Sequence, residues 1–214
     1  MRLETVTGLT IDVNDPRPED INIDDIAWSL SRKPRFCGHT ITEIPYNVAQ
    51  HSIFVAKELE RMVFHPEEYP EVEKEIEMIS DRLTSNPNEI RNLCFLGLIH
   101  DASEVYTGDV PSPVKRIPEL YPIFKRIEEG LMNAIYLHFK VLPPEHCQEV
   151  LIKHADKISQ KIEAHAFMQS RGSTWPNMPS VSLEKLQKFE NPMSSLESYK
   201  QFKECFEHFY TLSK

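Results

Sequence analysis

Strand signals, paired cysteines, basic excess and long apolar runs are all scarce in this sequence. The longest unbroken apolar stretch, Leu93 to Ile99, falls far short of the ~20 residues that cross a bilayer. No basic-then-apolar secretory pattern opens the chain, so a soluble, cytoplasmic protein that engages no membrane is expected. Cys37, Cys94, Cys147 and Cys205 show no CxxC spacing, and Cys94 lies inside the apolar run, which favours free thiols over disulfides or a zinc knuckle. The formal charge of -9 argues against the contiguous basic surface that a nucleic-acid polymer requires. A small phosphate compound stays open, because a bound cation and one or two local Arg or Lys side chains hold it whatever the net charge. Repeats and low-complexity tracts are absent, and 214 residues suit one domain with its own core.

What is present is helical periodicity. The first 30 residues read as an extended start followed by a short helix near Ile23 to Leu30. From Asn47 onward, Val48, His51, Val55, Leu59 and Met62 fall at steps of three and four and form one inward stripe. Asn86-Pro87-Asn88-Glu89 reads as a helix start, with Asn as N-cap, Pro at the first helical position and Glu near the positive end of the dipole. That helix is expected to run through Leu93, Leu96, Gly97, His100, Asp101 and Glu104, and to stop at Gly108. Its centre is apolar all round, which requires neighbours on every side. Further helices are expected at about Tyr121 to Lys140, Pro144 to Gln169 and Leu196 to Thr211. Pro66 to Asn86 reads as a charged hairpin inserted between core helices, and Arg171 to Pro192 as a long loop or external arm. The expected fold class is therefore all-α.

His100-Asp101 carries the strongest chemical signal, because ionisable groups at the end of an apolar helix must be paired, ligated or neutral. Taken alone, the pair also suits a core histidine bonded to a carboxylate. Glu104, one turn beyond His100, and Asp109, after the Gly108 break, change that balance by bringing more carboxylates to the same pocket. Crowded like charges need a cation or shared protons, so their convergence predicts a metal. Imidazole with carboxylate suits Mn, Co, Fe, Ni or Zn, and an all-oxygen site suits Mg or Ca. His51 on its inward stripe, like Asp156, His154 and His165, is singly an ordinary core or surface residue; a metal between the helices would make ligands of His51 and Asp156. Trp28 reads as a half-buried aromatic.

A lone His51, the pair His100-Asp101 and the distant Asp156 resemble the pattern of the HD-domain phosphohydrolases. More narrowly, His100-Asp101-Ala102-Ser103-Glu104-Val105, followed by Thr107 through Lys115, is similar to the signature of the bacterial HD-domain 5'-deoxynucleotidases. The resemblance spans about Arg35 to Gln169, weakens between Pro66 and Asn86, and is not visible at either end. It implies an HD-domain helical bundle with a mononuclear divalent metal site of His51, His100, Asp101 and Asp156. It makes Glu104 and Asp109 the catalytic carboxylates, and places Arg35 and Phe36 where the family contacts sugar and phosphate. Phe36 departs from the Trp found there in the family; a phenyl ring packs on a deoxyribose but has no N-H to donate. Lys115 joins Arg35 as a candidate phosphate contact.

The resemblance implies a metal-dependent phosphohydrolase for a small nucleotide, foremost a deoxyribonucleoside 5'-monophosphate. A deoxyribonucleoside triphosphate triphosphohydrolase and a non-catalytic, metal-containing nucleotide sensor are the alternatives. A homo-oligomer such as a dimer is compatible with the resemblance.

Overall fold

The protein is described by a computed structural model at residues 2–83, 86, 88–187 and 191–210. It is all-α apart from a short antiparallel ribbon, in which Leu3–Glu4 pairs with Thr10–Ile11. The helices are α1 (Ile23–Leu30), α2 (Val48–Phe64), α3 (Glu73–Leu83), α4 (Glu89–Leu98), α5 (Glu104–Thr107), α6 (Ser112–Lys115), α7 (Tyr121–Phe139), α8 (His146–Phe167), α9 (Leu183–Gln187) and α10 (Ser195–Phe209). All four cysteines are free thiols, and no described helix is long and apolar enough to cross a membrane.

At the centre, α2 packs along α4, with α8 and α10 against both and α3 closing the side. The α2 stripe of Val48, His51, Val55, Leu59 and Met62 is fully buried, as its spacing predicts. Asn47 starts α2 by accepting from the Gln50 N-H, while its amide donates to Ser198 Oγ of α10 at 2.9 Å. Gln50 continues the latch, donating to the Asn191 carbonyl and accepting from the Met193 N-H. On α4, Gly97 permits close approach, since a Cβ there would collide with Leu59 Cδ1. Leu93, Cys94, Phe95, Leu96, Leu98 and Ile99 are all buried, so the apolar helix is indeed covered on every side.

Several boundaries differ from those expected. Helix α4 ends at Leu98 and does not continue through Glu104; residues 99–103 form a turn before the short α5. Ile99 leaves the helix at φ -100 and ψ 6, and the His100 ring takes over capping by donating from Nδ1 to the Gly97 carbonyl at 2.8 Å. A side chain satisfies the terminal carbonyl, which apolar periodicity does not register. At the other end of α4, Asn86 Oδ1 accepts from the Asn88 N-H, while Pro87, expected at the first helical position, lies outside the described residues. The stretch expected as an inserted hairpin contains α3, whose Ile76 and Ile79 belong to the core. Its charged residues form the outer face of an amphipathic helix. The Arg171 to Pro192 arm contains α9, with Lys185 docked on Glu58 and Tyr69. The C-terminal helix is α10, and Thr211 lies outside the described residues.

Candidate active site

Arg35, His51, His100, Asp101 and Asp156 come together where the turn after α4 meets α2 and α8. His51 Nε2 stands 3.2 Å from Asp156 Oδ1 and 3.6 Å from Asp101 Oδ2. His100 Nε2 lies 3.1 Å from the same Asp101 oxygen. One ligand atom each from His51, His100 and Asp101 fits within a 4.8 Å cluster. Both Nε2 atoms are buried and make no hydrogen bond, although carboxylate oxygens of Asp101 and Asp156 lie within 3.6 Å of them.

The opposite nitrogens are fixed. His100 Nδ1 bonds the Gly97 carbonyl, and His51 Nδ1 lies 2.6 Å from Glu163 Oε1. Such contacts choose the tautomer that leaves Nε2 free to ligate. Asp156 is steadied by Gln160 Nε2, which donates to both its oxygens at 2.9 and 3.0 Å.

Glu163 is a residue that sequence reasoning missed. It is fully buried on α8, and besides His51 it accepts from Arg35 Nε at 3.2 Å and from the Tyr46 hydroxyl at 3.0 Å. Its position seven residues after Asp156 places both on one face of α8, a spacing from which it was findable. Burial opposes its charge, but His51 and Arg35 outweigh burial and hold the carboxyl below its usual range. His51 in turn is disfavoured as a cation by burial and by Arg35, yet Glu163 and Asp156 push it up to about 9.

Arg35 is buried, not a surface ion-pair residue, and its Nη1 lies 3.6 Å from Asp101 Oδ2. Phe36 is only half-buried and takes left-handed backbone angles, φ 55 and ψ 31. Its ring meets the edge of Trp175 at 5.5 Å. Trp28, by contrast, is covered by Arg32 at 3.6 Å and abuts Tyr199, as an ordinary half-buried aromatic would. His154 lies in another cleft, with Glu71, Tyr69 and Lys185.

The other side of the site is acidic. Glu104 reaches it from α5 after the turn at 99–103, so the expectation that it shares a continuous helical face with His100 is corrected. Its Oε2 is buried without a partner, and Oε1 accepts from Lys115 Nζ at 3.2 Å. Burial, Asp101 and Asp109 push its carboxyl up to about 9, against Lys115 and Arg35. Asp109 is raised too, by burial first, with Arg35 opposing and Asp101 reinforcing. Lys115 also lies 2.6 Å from Glu128 Oε1, a second partner that sequence did not reveal. A cleft of about 480 Å³ opens here, lined by His100, Asp101, Glu104, Lys115 and Glu128 among others.

Comparison with known proteins gives this arrangement a context. The family model described as "5'-deoxynucleotidase YfbR-like" matches residues 35–208, so the likeness extends well past Gln169. The chain is 28% identical over 212 residues to "Uncharacterized protein YfdR" of Escherichia coli (strain K12), covering 99% of this chain and 97% of that one. The ends, too, thus have a counterpart. It is 30% identical over 162 residues to "Uncharacterized protein RCAP_rcc00048" of Rhodobacter capsulatus, covering 74% and 69%. A "5'-deoxynucleotidase" of Yersinia pestis (strain Pestoides F) is 30% identical over 144 residues, 61% of each chain.

Proposed function

Because this chain belongs to the YfbR-like 5'-deoxynucleotidase family, and so to the HD-type phosphohydrolases of deoxynucleotides, we propose that it hydrolyses deoxyribonucleoside 5'-monophosphates with the help of one divalent metal ion. The observation that carries this reading is the pair of buried, unbonded Nε2 atoms on His51 and His100, facing Asp101 and Asp156. Two imidazoles, which give up any proton on Nε2 when a cation binds, and two carboxylates form a fitting donor set for Mn, Co, Fe, Ni, Zn or Mg. When bound, such an ion supplies Lewis acidity to the phosphoryl group and lowers the pKa of water.

The remaining roles fall to the chain's own side chains. Arg35, fixed by Glu163 and Asp101, presents a rigid guanidinium to phosphate oxygen. Glu104 and Asp109 stand outside the proposed ligand set, and their raised carboxyl pKa values suit proton transfer near neutrality. We assign one to orienting and deprotonating water and the other to protonating the leaving 5'-oxygen. Lys115 neutralises charge at the same edge. Among the described residues of the cleft, Lys115 is the only Lys or Arg beside Asp101, Glu104, Glu128, Glu129 and Glu149. That balance suits a dianionic monophosphate better than a triphosphate. Phe36 is assigned to the sugar: an apolar ring leaves a ribose 2'-hydroxyl unpaired, which costs about 1 to 3 kcal/mol, or roughly tenfold in specificity.

The test is a substrate panel of ribo and deoxy mono- and triphosphates with metal-loaded protein, with the released phosphate identified. Inorganic phosphate from deoxy monophosphates is expected; triphosphate release would move the assignment to a triphosphohydrolase. Elemental analysis should find metal in the wild type and much less in His100→Ala. Equal content in both would remove His100 from the ligand set.

A further inference from the structure

Phe36 and Trp175 form a pair that the packing of the protein does not explain. Neither ring belongs to the hydrophobic core or packs against it, and both are half-buried. They meet at 5.5 Å with an interplanar angle of 61°. The Arg35 guanidinium lies 5.3 Å from the Phe36 ring centre on its way to Asp101 and Glu163, so the pair stands beside the phosphate-binding arginine assigned above.

Both sides of the pair are held by special backbone. Phe36, Cys37 and Gly38 are consecutive left-handed residues, with φ 55, 53 and 76. For side chains other than Gly, such angles cost on the order of 1 kcal/mol or more each and persist where function requires a fixed direction. The 35–41 loop is pinned to the end of α8 by the Ile41 N-H, which donates to the Phe167 carbonyl at 2.9 Å. From that point the chain turns at Gly172 (φ +71), where a Cβ would meet Ala164 Cβ at 3.0 Å, and the Trp175 N-H closes the turn on the Gly172 carbonyl. The indole is thereby carried back to Phe36. Its own N-H has no hydrogen-bond partner among the described residues.

We propose that Trp175 is a base-binding residue: its indole stacks on the planar base of the nucleotide, while Phe36 packs on the sugar and Arg35 holds the phosphate. The inference rests on the nucleotide reading above. Stacking tolerates any base, because each has a π-face, so a broad base range with purines favoured follows from an indole platform.

The test uses the full-length, metal-loaded protein. In a Trp28→Phe background, Trp175 is the remaining tryptophan, and its fluorescence should be quenched saturably by deoxynucleoside monophosphates and not by deoxyribose 5-phosphate, which has no base. In kinetics, Trp175→Ala should raise KM for the nucleotides about tenfold with kcat nearly kept. It should leave KM for deoxyribose 5-phosphate unchanged, and Trp175→Phe should recover most of the loss. Fluorescence unmoved by nucleotides, or an equal KM rise for both substrates, overturns the proposal. Quenching by nucleotides in a protein that turns none of them over would support Trp175 as a base platform while overturning the hydrolase reading.

Discussion

Glu163 and Glu104 are both buried glutamates within the same constellation, yet their carboxyls are driven in opposite directions. Glu163 lies in the wall made by α2 and α8, where His51, Arg35 and Tyr46 all turn toward it. Its charge is matched on every side, and its carboxyl lies below the usual range. Glu104 lies in the wall made by the short helices after α4, with Asp101 and Asp109 for company and one oxygen unbonded. Burial is similar for both, so the neighbours decide the sign. One wall is built to hold a fixed arrangement; in the other, burial and crowded carboxylates raise Glu104 far enough that it keeps a proton at pH 7, as a general acid does.

The sharpest way to break this contrast is to remove the unsatisfied wall. Glu104→Ala and Asp109→Ala should keep fold and metal but lose about 10²- to 10⁴-fold in kcat, the usual contribution of general acid-base groups. Loss of metal from either variant would make that residue a ligand and dissolve the distinction between the walls. Normal turnover in both would favour a nucleotide sensor.

A smaller effect is expected on the satisfied wall. Glu163→Gln keeps the shape but withdraws the charge that steadies His51 and Arg35, and metal affinity should fall about 10- to 100-fold, as for other partners of ligating histidines. Competition with a chelator measures it. Glu163→Asp should recover part of the affinity, which a merely space-filling role would not produce. Unchanged affinity in Glu163→Gln would mean that the buried carboxylate serves packing alone.

The smallest effect concerns stability. For Glu104 the folded-state pKa, about 9, exceeds the ordinary carboxyl value of 4.5. Between those values the unfolded chain releases a proton that the folded chain retains, so this group destabilises the metal-free protein progressively as pH rises from about 4.5 to about 9. Glu104→Gln should therefore raise the Tm of chelated protein at pH 8 by about 3 °C or more and leave it nearly unchanged at pH 4. A Tm gain of equal size at both pH values would show that charge is not the cause.

How much of this was legible in the chain depended on whether periodicity and chemistry coincided. His51 sits on an apolar stripe that is buried as the spacing predicts, so its position was readable. The turn at 99–103 was not, because the residues around it keep a helical pattern while the helix is ended by the His100 side chain. Glu163 hides among Lys161, Ile162 and Ala164 as an unremarked polar position of a long amphipathic helix. Only its seven-residue distance from Asp156 marks it. Trp175 and Glu128 become relevant through contacts between distant segments, which a linear pattern does not contain.

The Glu163 carboxylate also bears on the order in which the molecule assembles. It joins Arg35 and His51 across 128 and 112 residues of sequence. Until α8 docks, the guanidinium and imidazole that will be buried have no carboxylate to bury with, and desolvating them alone is strongly unfavourable. Closure of the pocket and docking of the late helix are thus one cooperative event, with the loop-closure entropy of most of the chain standing before it. Amide protons of α2 around His51 and of α8 around Glu163 should then exchange through the same opening, since neither helix gains its buried ion pairs without the other.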